Sequence, residues 1–521
     1  MPISNDSKRV TNSLQTEPLG TRRWIGLAFV SLVGLGLRLI CLTCKPFWFD
    51  EAFSVEIARV TWPNFLHLLW WREANMSLYY FLLRLWLYLG QSPFFIRSLS
   101  AAIAAATIPV VYWLASLLFD RRTALISTAL FSVSAYHIRY AQEARSYALF
   151  ALLGTLSSAF LVAFLQNPTD AKHRAYLLTS ILAVYAHFYA LLLIVAQWLA
   201  LLCVGDATNF DKAEPADELW MVNAKDMRKN WRIIAAGVAP VLIFVAKTGA
   251  GPIKWIKRPG ISDLAQFSGD CTNAWPILYL AGCALAVFAV GRSLFRHAQT
   301  WTEWRVQFLS IWLIFPLLLT VLLSFARPVF LPRYMIFCIP ALMILTAAGI
   351  GTIRPIWLSG IVAGALLLLS ARSVPFVYSH DFDNERDASI AASGFILDHA
   401  RPNDAVVFHI AETRIPYEYV RSLRSGRNTA SPQFDGHFGP EILFPDDGTG
   451  LNYRDFTGKP SPELLRKELP RYSSVWVMLM NNGTPEKPDA TTMMLSEVLP
   501  RMYSHMQKWQ FAKVEVRLYN K

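Results

Sequence analysis

Five apolar runs decide what this chain can fold into. Residues 98–119, 146–169, 272–291, 306–326 and 334–353 each lack Lys, Arg, Asp and Glu. Each is long enough to cross a bilayer, which takes roughly 20 helical residues for about 30 Å of hydrocarbon. Lipid offers no partner to backbone N–H and C=O groups, so these runs are expected to be helical. A chain of 521 residues would otherwise suggest several soluble domains. The mean hydropathy of +0.33 fits a polytopic membrane protein instead, as does a charged fraction of only 17%.

The formal net charge of +12 raises the question of nucleic acid. The basic residues are scattered between apolar spans rather than gathered in a patch, so loop bias and anionic lipid explain them better and no nucleic acid partner is expected. The six cysteines, Cys41 and Cys44 among them, are read as small apolar fillers of membrane helices, because no second pair stands at zinc-binding distance. The first 20 residues are polar, and the first apolar run has no small-residue cleavage site after it, so that run is read as a retained anchor.

Arg22 and Arg23 precede the first span, placing a tail of residues 1–23 in the cytoplasm and residue 45 onward outside. Residues 45–97 then form a long external loop rich in Trp, Phe and Tyr, suited to interfacial helices. Residues 175–205 are long for one crossing and tight for two, and are read as two short spans breaking near His187. The total is about eleven transmembrane helices between residues 24 and 371, by apolar length and alternation of sides. Residues 373–521 are polar and carry short strands at 405–410, 474–480 and 513–518, with helices near 384–400 and 490–507 and a loop over 425–465. They read as a small extracytoplasmic α/β domain.

Four polar clusters interrupt this greasy background. Asp50 and Glu51 stand just after the first span, flanked by Trp48 and Phe49. Charges at a membrane boundary are costly unless solvated or used, and a carboxylate there suits a general base; the plainer reading is a helix start favoured by the dipole. Arg72, Glu73, Asn75, Tyr79 and Tyr80 lie later in the same loop. The stretch 137–147 holds Arg139, Tyr140, Glu143, Arg145 and Tyr147. On one continuous helix Glu143 would share a face with Arg139 and with Tyr147. Arg333 and Tyr334 enter a late span, where an arginine fork suits phosphate or simply snorkels to the boundary. His187, followed by Phe188 and Tyr189, is more often a helix-packing residue than a ligand-binding one.

In order, Asp50-Glu51-Ala52, Leu78-Tyr79-Tyr80, the 142–147 motif and Arg333-Tyr334 resemble glycosyltransferase family 39. That group holds the protein O-mannosyltransferases and the aminoarabinose transferase-like enzymes. The resemblance covers residues 24 to about 371. It implies a C-type glycosyltransferase fold and inverting transfer of a hexose or pentose from a polyprenyl-phosphate carrier. By the same resemblance Asp50 is the base, Glu51 positions it, Glu143 is a second acid in the cavity, and Arg145 and Arg333 meet phosphate. Many relatives carry His-Pro-Pro or Lys-Pro-Pro where this chain has Asn75-Met76-Ser77. No metal ligand is therefore carried over, a divalent metal is left open, and no cofactor beyond the lipid-linked donor is expected. The acceptor is expected to be a lipid, glycan or protein hydroxyl outside the cytoplasm, and the setting a bacterial inner membrane. The rival readings are a lipid or sugar transporter or flippase, which would place its ionisable groups near the bilayer midplane, and a membrane scaffold without catalysis.

Overall fold

The computed structural model describes residues 21–71, 73–205, 215–248, 256–379, 388–401, 403–424, 439–443, 462–480, 483–484, 487–488 and 490–521. Helix α1 (Thr21–Leu39) leads into three short helices, α2 (Phe49–Arg59), α3 (Trp62–Trp71) and α4 (Ser77–Leu87). The chain continues through α5 (Pro93–Leu118), α6 (Arg121–Ser132), α7 (Ala135–Ala141), α8 (Tyr147–Gln166), α9 (Asp170–Ala186) and α10 (Ala190–Leu202). Next come α11 (Pro215–Met227), α12 (Trp231–Thr248), α13 (Ile261–Cys271), α14 (Pro276–Val290) and α15 (Trp301–Ala326). A 3-10 turn over Pro332–Cys338 precedes α16 (Ile339–Thr352), α17 (Ile356–Arg372) and α18 (Val374–Tyr378).

Local sequence marks many of these boundaries. Ser92, Asp120, Ser134 and Thr169 each accept a hydrogen bond from a backbone N–H of the helix that follows. Pro93 and Pro276 occupy first-turn positions where the missing N–H costs nothing.

The chain is a multi-pass membrane protein. Among the described residues six helical segments are long and apolar enough to cross a membrane, or seven if α13 and α14, bent by 76°, act as one. The expected count of about eleven is thus not reached by length and composition. The difference lies in the shorter helices α1, α6, α9 and α10. The break expected near His187 is present: α9 ends at Ala186 and α10 begins at Ala190. Helix α8 and the segment 332–352 are buried along most of their length, whereas α12 and α17 turn most of theirs outward. Phe29, Leu242, Phe325 and Leu368 lie exposed on the outside, where lipid rather than protein would cover them. Helices α14 and α16 approach so closely that a Cβ on Gly349 would stand 1.8 Å from the Gly282 carbonyl oxygen. Small residues at this crossing let the backbones touch.

The C-terminal part comprises α19 (Ala388–His399), β1 (Ala405–Phe408), α20 (Ala411–Arg424), β2 (Glu441–Ile442) and α21 (Pro462–Glu468), then β3 (Ser474–Met480), β4 (Gly483–Thr484), β5 (Lys487–Pro488), α22 (Ala490–Val498), β6 (His505–Phe511) and β7 (Val514–Asn520). Five strands form one sheet in the order β2-β1-β3-β7-β6, parallel at β2-β1-β3 and antiparallel beyond. The buried apolar run Val475–Leu479 makes β3 its centre. The helix expected over 490–507 stops at Val498, because 505–511 is drawn into the sheet as an exposed edge strand against β7. The helix Ala411–Arg424 was not expected, and it packs along α2. Most of the loop expected over 425–465 lies outside the described residues.

One reading from sequence is overturned here. Cys41 and Cys44 are not fillers but a disulfide at the end of α1.

Candidate active site

The short helix α2 begins at the boundary that the first span creates, and Asp50 and Glu51 fall in its first turn. Adjacent residues on a helix point about 100° apart, and the two acids meet different surroundings. Glu51 is fully buried. Arg97, at the start of α5, donates to both its oxygens at 2.8 and 2.7 Å, and the Ala144 N–H adds a third bond at 2.9 Å. Such a carboxylate is saturated.

Asp50 is different. Its Oδ2 lies 3.6 Å from Arg333 Nη2 and 3.9 Å from Arg145 Nη2. Both separations exceed hydrogen-bond length, and among the described residues Oδ2 has no hydrogen-bond partner although it is shielded from solvent. Two guanidiniums therefore converge on one carboxylate oxygen that neither has bonded.

Arg145 is fixed independently of that oxygen. It donates to the Asp50 carbonyl at 3.3 Å, Ser54 Oγ at 3.2 Å and Tyr80 OH at 3.4 Å. Burial opposes its charge, but Tyr80 and Asp50 outweigh that and hold it protonated. Arg333 lies over the Trp48 ring, 5.5 Å from its centroid, and is brought in by the turn that follows α15.

Glu73 approaches from the far side of the same loop. Burial pushes its carboxyl up to about 7, with Asp50 adding to the rise and Arg145 and a hydrogen bond from Tyr80 opposing it. Asn75 accepts from the Phe188 N–H at 3.1 Å and so ties the loop to the α9–α10 break. Arg72 lies outside the described residues.

The 137–147 stretch departs from the expected geometry. Helix α7 ends at Ala141 and α8 starts at Tyr147, so Glu143 shares no continuous helix face with Arg139 or Tyr147. The break is what turns the Ala144 N–H toward Glu51. Glu143 is buried in this break and acts electrostatically on Arg97, Tyr79 and Tyr147. Arg139 lies over Tyr140 and acts on Asp270 of α13.

Aromatic side chains pack around the segments that bear Arg145 and Arg333. The His187 ring stacks on Phe150 at 5.1 Å and meets Tyr334 at 4.5 Å. Its Nδ1 accepts from the Tyr189 N–H at 3.2 Å. Tyr147 lies between Tyr140 at 5.3 Å and Tyr334 at 6.4 Å. Tyr79 takes no direct part in the cluster, since its hydroxyl bonds Ser100 at 2.8 Å. Two contributors were not singled out from sequence: Ser54 and Arg97. Ser54 sits four residues after Asp50, one turn along the same face, which is the only signal that points to it.

Among the described residues no three His, Cys, Asp or Glu side chains gather as a metal-binding group. An apolar cavity of about 250 Å³ opens beside the site, walled by Leu69, Trp70, Ala74, Tyr185 and Phe244, with Lys247 at its edge.

No protein-family model matches the sequence, and no curated protein matches it. The fold does match solved structures. ArnT from Cupriavidus metallidurans in the apo state aligns over 95% of this chain and 97% of its own, with 13% identity and a TM-score of 0.60. The same protein bound to undecaprenyl phosphate aligns over 96% and 98%, with 14% identity and a TM-score of 0.58. The Archaeoglobus fulgidus oligosaccharyltransferase in complex with Zn and sulfate aligns over 87% of this chain and 67% of its own, with 11% identity and a TM-score of 0.50. These are C-type glycosyltransferase folds, and this chain has that fold.

Proposed function

We propose that this protein is an inverting glycosyltransferase that moves a sugar from a polyprenyl-phosphate carrier to an acceptor hydroxyl outside the cytoplasm. One observation carries the reading: Asp50 Oδ2 is unbonded among the described residues yet stands within 4.0 Å of two guanidiniums. A base and a phosphate site are thereby side by side. The acceptor oxygen attacks the anomeric carbon while its proton passes to Asp50 Oδ2. The bond from that carbon to the phosphate oxygen breaks. Polyprenyl monophosphate departs with the electron pair, and its new charge is met by Arg145 and Arg333. Glu51 positions Asp50, Glu143 is a second acid of the cavity, and Tyr147, His187 and Tyr334 wall the sugar.

The fold supports this reading, as does the apolar cavity beside the Glu73–Asn75 loop, which suits the carrier's prenyl chain. The similar ArnT binds undecaprenyl phosphate. With two arginines supplying the positive charge, no metal ion or other cofactor is assigned, and transfer should survive chelation. The short helices α1, α6, α9 and α10 are assigned as further spans, for about eleven in all. The N-terminus is placed in the cytoplasm of a bacterial inner membrane, and the C-terminal domain on the opposite side with the site.

The test uses the purified protein in lipid nanodiscs, a panel of radiolabelled polyprenyl-phosphate sugars and membrane extract as acceptor. Transfer that disappears in a folded Asp50→Asn variant supports the reading. Equal transfer in both variants removes Asp50 as base, and donor that is moved across a bilayer but never consumed turns the assignment to a transporter.

A further inference from the structure

An aromatic contact joins the C-terminal domain to the site. Tyr419 of α20 stacks on Phe47, with centroids 4.8 Å apart and planes 14° from parallel. The Arg97 guanidinium lies over the same Phe47 ring, 4.6 Å from its centroid. Arg97 then reaches both oxygens of Glu51 and also donates to the carbonyls of Leu42 at 2.8 Å, Lys45 at 2.7 Å and Pro46 at 2.9 Å. Glu51 in turn holds Ala144, the residue before Arg145. A continuous chain of contacts thus runs from Tyr419 through Phe47, Arg97 and Glu51 to the two segments that bear Asp50 and Arg145.

Helix α2 is gripped at its other end as well. Arg59 donates to Ser422 Oγ of α20 at 2.8 Å and to Gln91 at 3.0 Å. Both ends of the helix that carries Asp50 are therefore held, in part, by the C-terminal domain. Tyr419 is buried, and among the described residues its hydroxyl has no hydrogen-bond partner. What the contact uses is the ring and not the phenol. Stacked aromatic pairs prefer defined separations and angles, so this pair sets where Phe47 sits and with it the guanidinium above.

We propose that Tyr419 is a positioning residue, through which the C-terminal domain fixes the geometry of the Asp50-bearing helix. This role rests on the transferase reading of the site. It assigns the domain to the reaction itself, independently of any acceptor that the domain binds.

The experiment compares full-length wild type with Tyr419→Phe, Tyr419→Leu and Tyr419→Ala in nanodiscs. Transfer kinetics and hydrogen exchange of peptides over residues 45–56 are measured for each. Tyr419→Phe should match wild type, because the unbonded hydroxyl adds nothing. Tyr419→Ala should lower kcat by roughly 10–100-fold, as expected for misplacement on the order of 1 Å, with donor KM changed less than about 3-fold. Exchange over 45–56 should speed up while peptides of the membrane core keep their protection. If Tyr419→Ala does not fold, Tyr419→Leu keeps the apolar volume, loses the stack and should show the same split. Wild-type kcat in the Ala or Leu variant, equal damage from Phe and Ala, or unchanged exchange over 45–56 each overturn the proposal. The exchange result stands even if wild type transfers no sugar, an outcome that would instead remove the transferase reading.

Discussion

Arg97 bonds both oxygens of Glu51, at 2.8 and 2.7 Å, and leaves Oδ2 of its neighbour Asp50 to two guanidiniums that approach without hydrogen-bonding it. Two adjacent acids of nearly equal chemistry are thereby given opposite tasks. One is an internal strut and the other is the base of the proposed transfer.

Their substitutions should separate cleanly. Asp50→Asn should fold with a thermal midpoint near wild type and lose about 10²–10⁴-fold in kcat, the range for a missing general base. Glu51→Gln leaves the Arg97 charge buried without its partner and should cost about 3–5 kcal/mol of stability. Midpoints in detergent together with transfer rates decide the matter. A stable, inactive Glu51→Gln beside an active Asp50→Asn would exchange the two roles.

Much of this site is legible in the sequence. Ionisable residues at the edges of apolar runs are costly, and that cost singled out Asp50, Arg145 and Arg333 in three distant segments. The break at His187 followed from a run too long for one span. The rest depended on phase and on partners far away in sequence. Tyr79 and Tyr80 are neighbours on α4, yet one hydroxyl reaches Ser100 and the other Arg145. Only the packed rotation of that helix tells them apart. Arg97 closed the external loop in the sequence, with nothing to show that its fork would fold back on Glu51. The shared helix face expected for Arg139, Glu143 and Tyr147 assumed an uninterrupted helix across 142–146, where Gln142 ends one helix and Ser146 begins the next.

Arg145 and Arg333 should not tolerate lysine. A lysine offers a point charge in place of a planar fork. Arg333→Lys and Arg145→Lys are each expected to raise donor KM about 10-fold or more, since a charged hydrogen bond contributes about 1.5–3 kcal/mol. Titrating immobilised protein with undecaprenyl phosphate measures this directly. Affinity equal to wild type in both variants would take the phosphate away from these residues.

Glu73 should impose a pH dependence on donor binding. Its carboxyl is held up to about 7, chiefly by burial. Below that pH it is neutral and leaves the Arg145 charge to the phosphate. Above it a carboxylate faces Arg145 and weakens the field that an anionic donor meets. Donor KM is therefore expected to rise as pH increases through about 7, and Glu73→Gln should flatten the profile. A profile that is the same in wild type and Glu73→Gln would place the titration elsewhere.

The contact between α2 and the C-terminal domain should itself respond to pH, through Glu56. This side chain is buried where α2 meets α20, beside Arg59, with the buried Glu418 and with Arg414 near it. Burial raises its pKa from 4.5 to about 7, Glu418 raises it further, and Arg59 and Arg414 pull it down. The sign follows from the proton count. Between 4.5 and about 7 the folded protein keeps a proton that the unfolded chain has already released. The stability from this group is therefore fully present below 4.5 and is lost as pH rises through about 7, a change of at most about 3 kcal/mol. Thermal midpoints of wild type should fall between about pH 5 and pH 8, and those of Glu56→Gln, an uncharged side chain of similar shape, should fall less. A wild-type midpoint that rises over the same interval while the variant stays flat would mean that Glu56 is ionised at the interface and that Arg59 outweighs its burial.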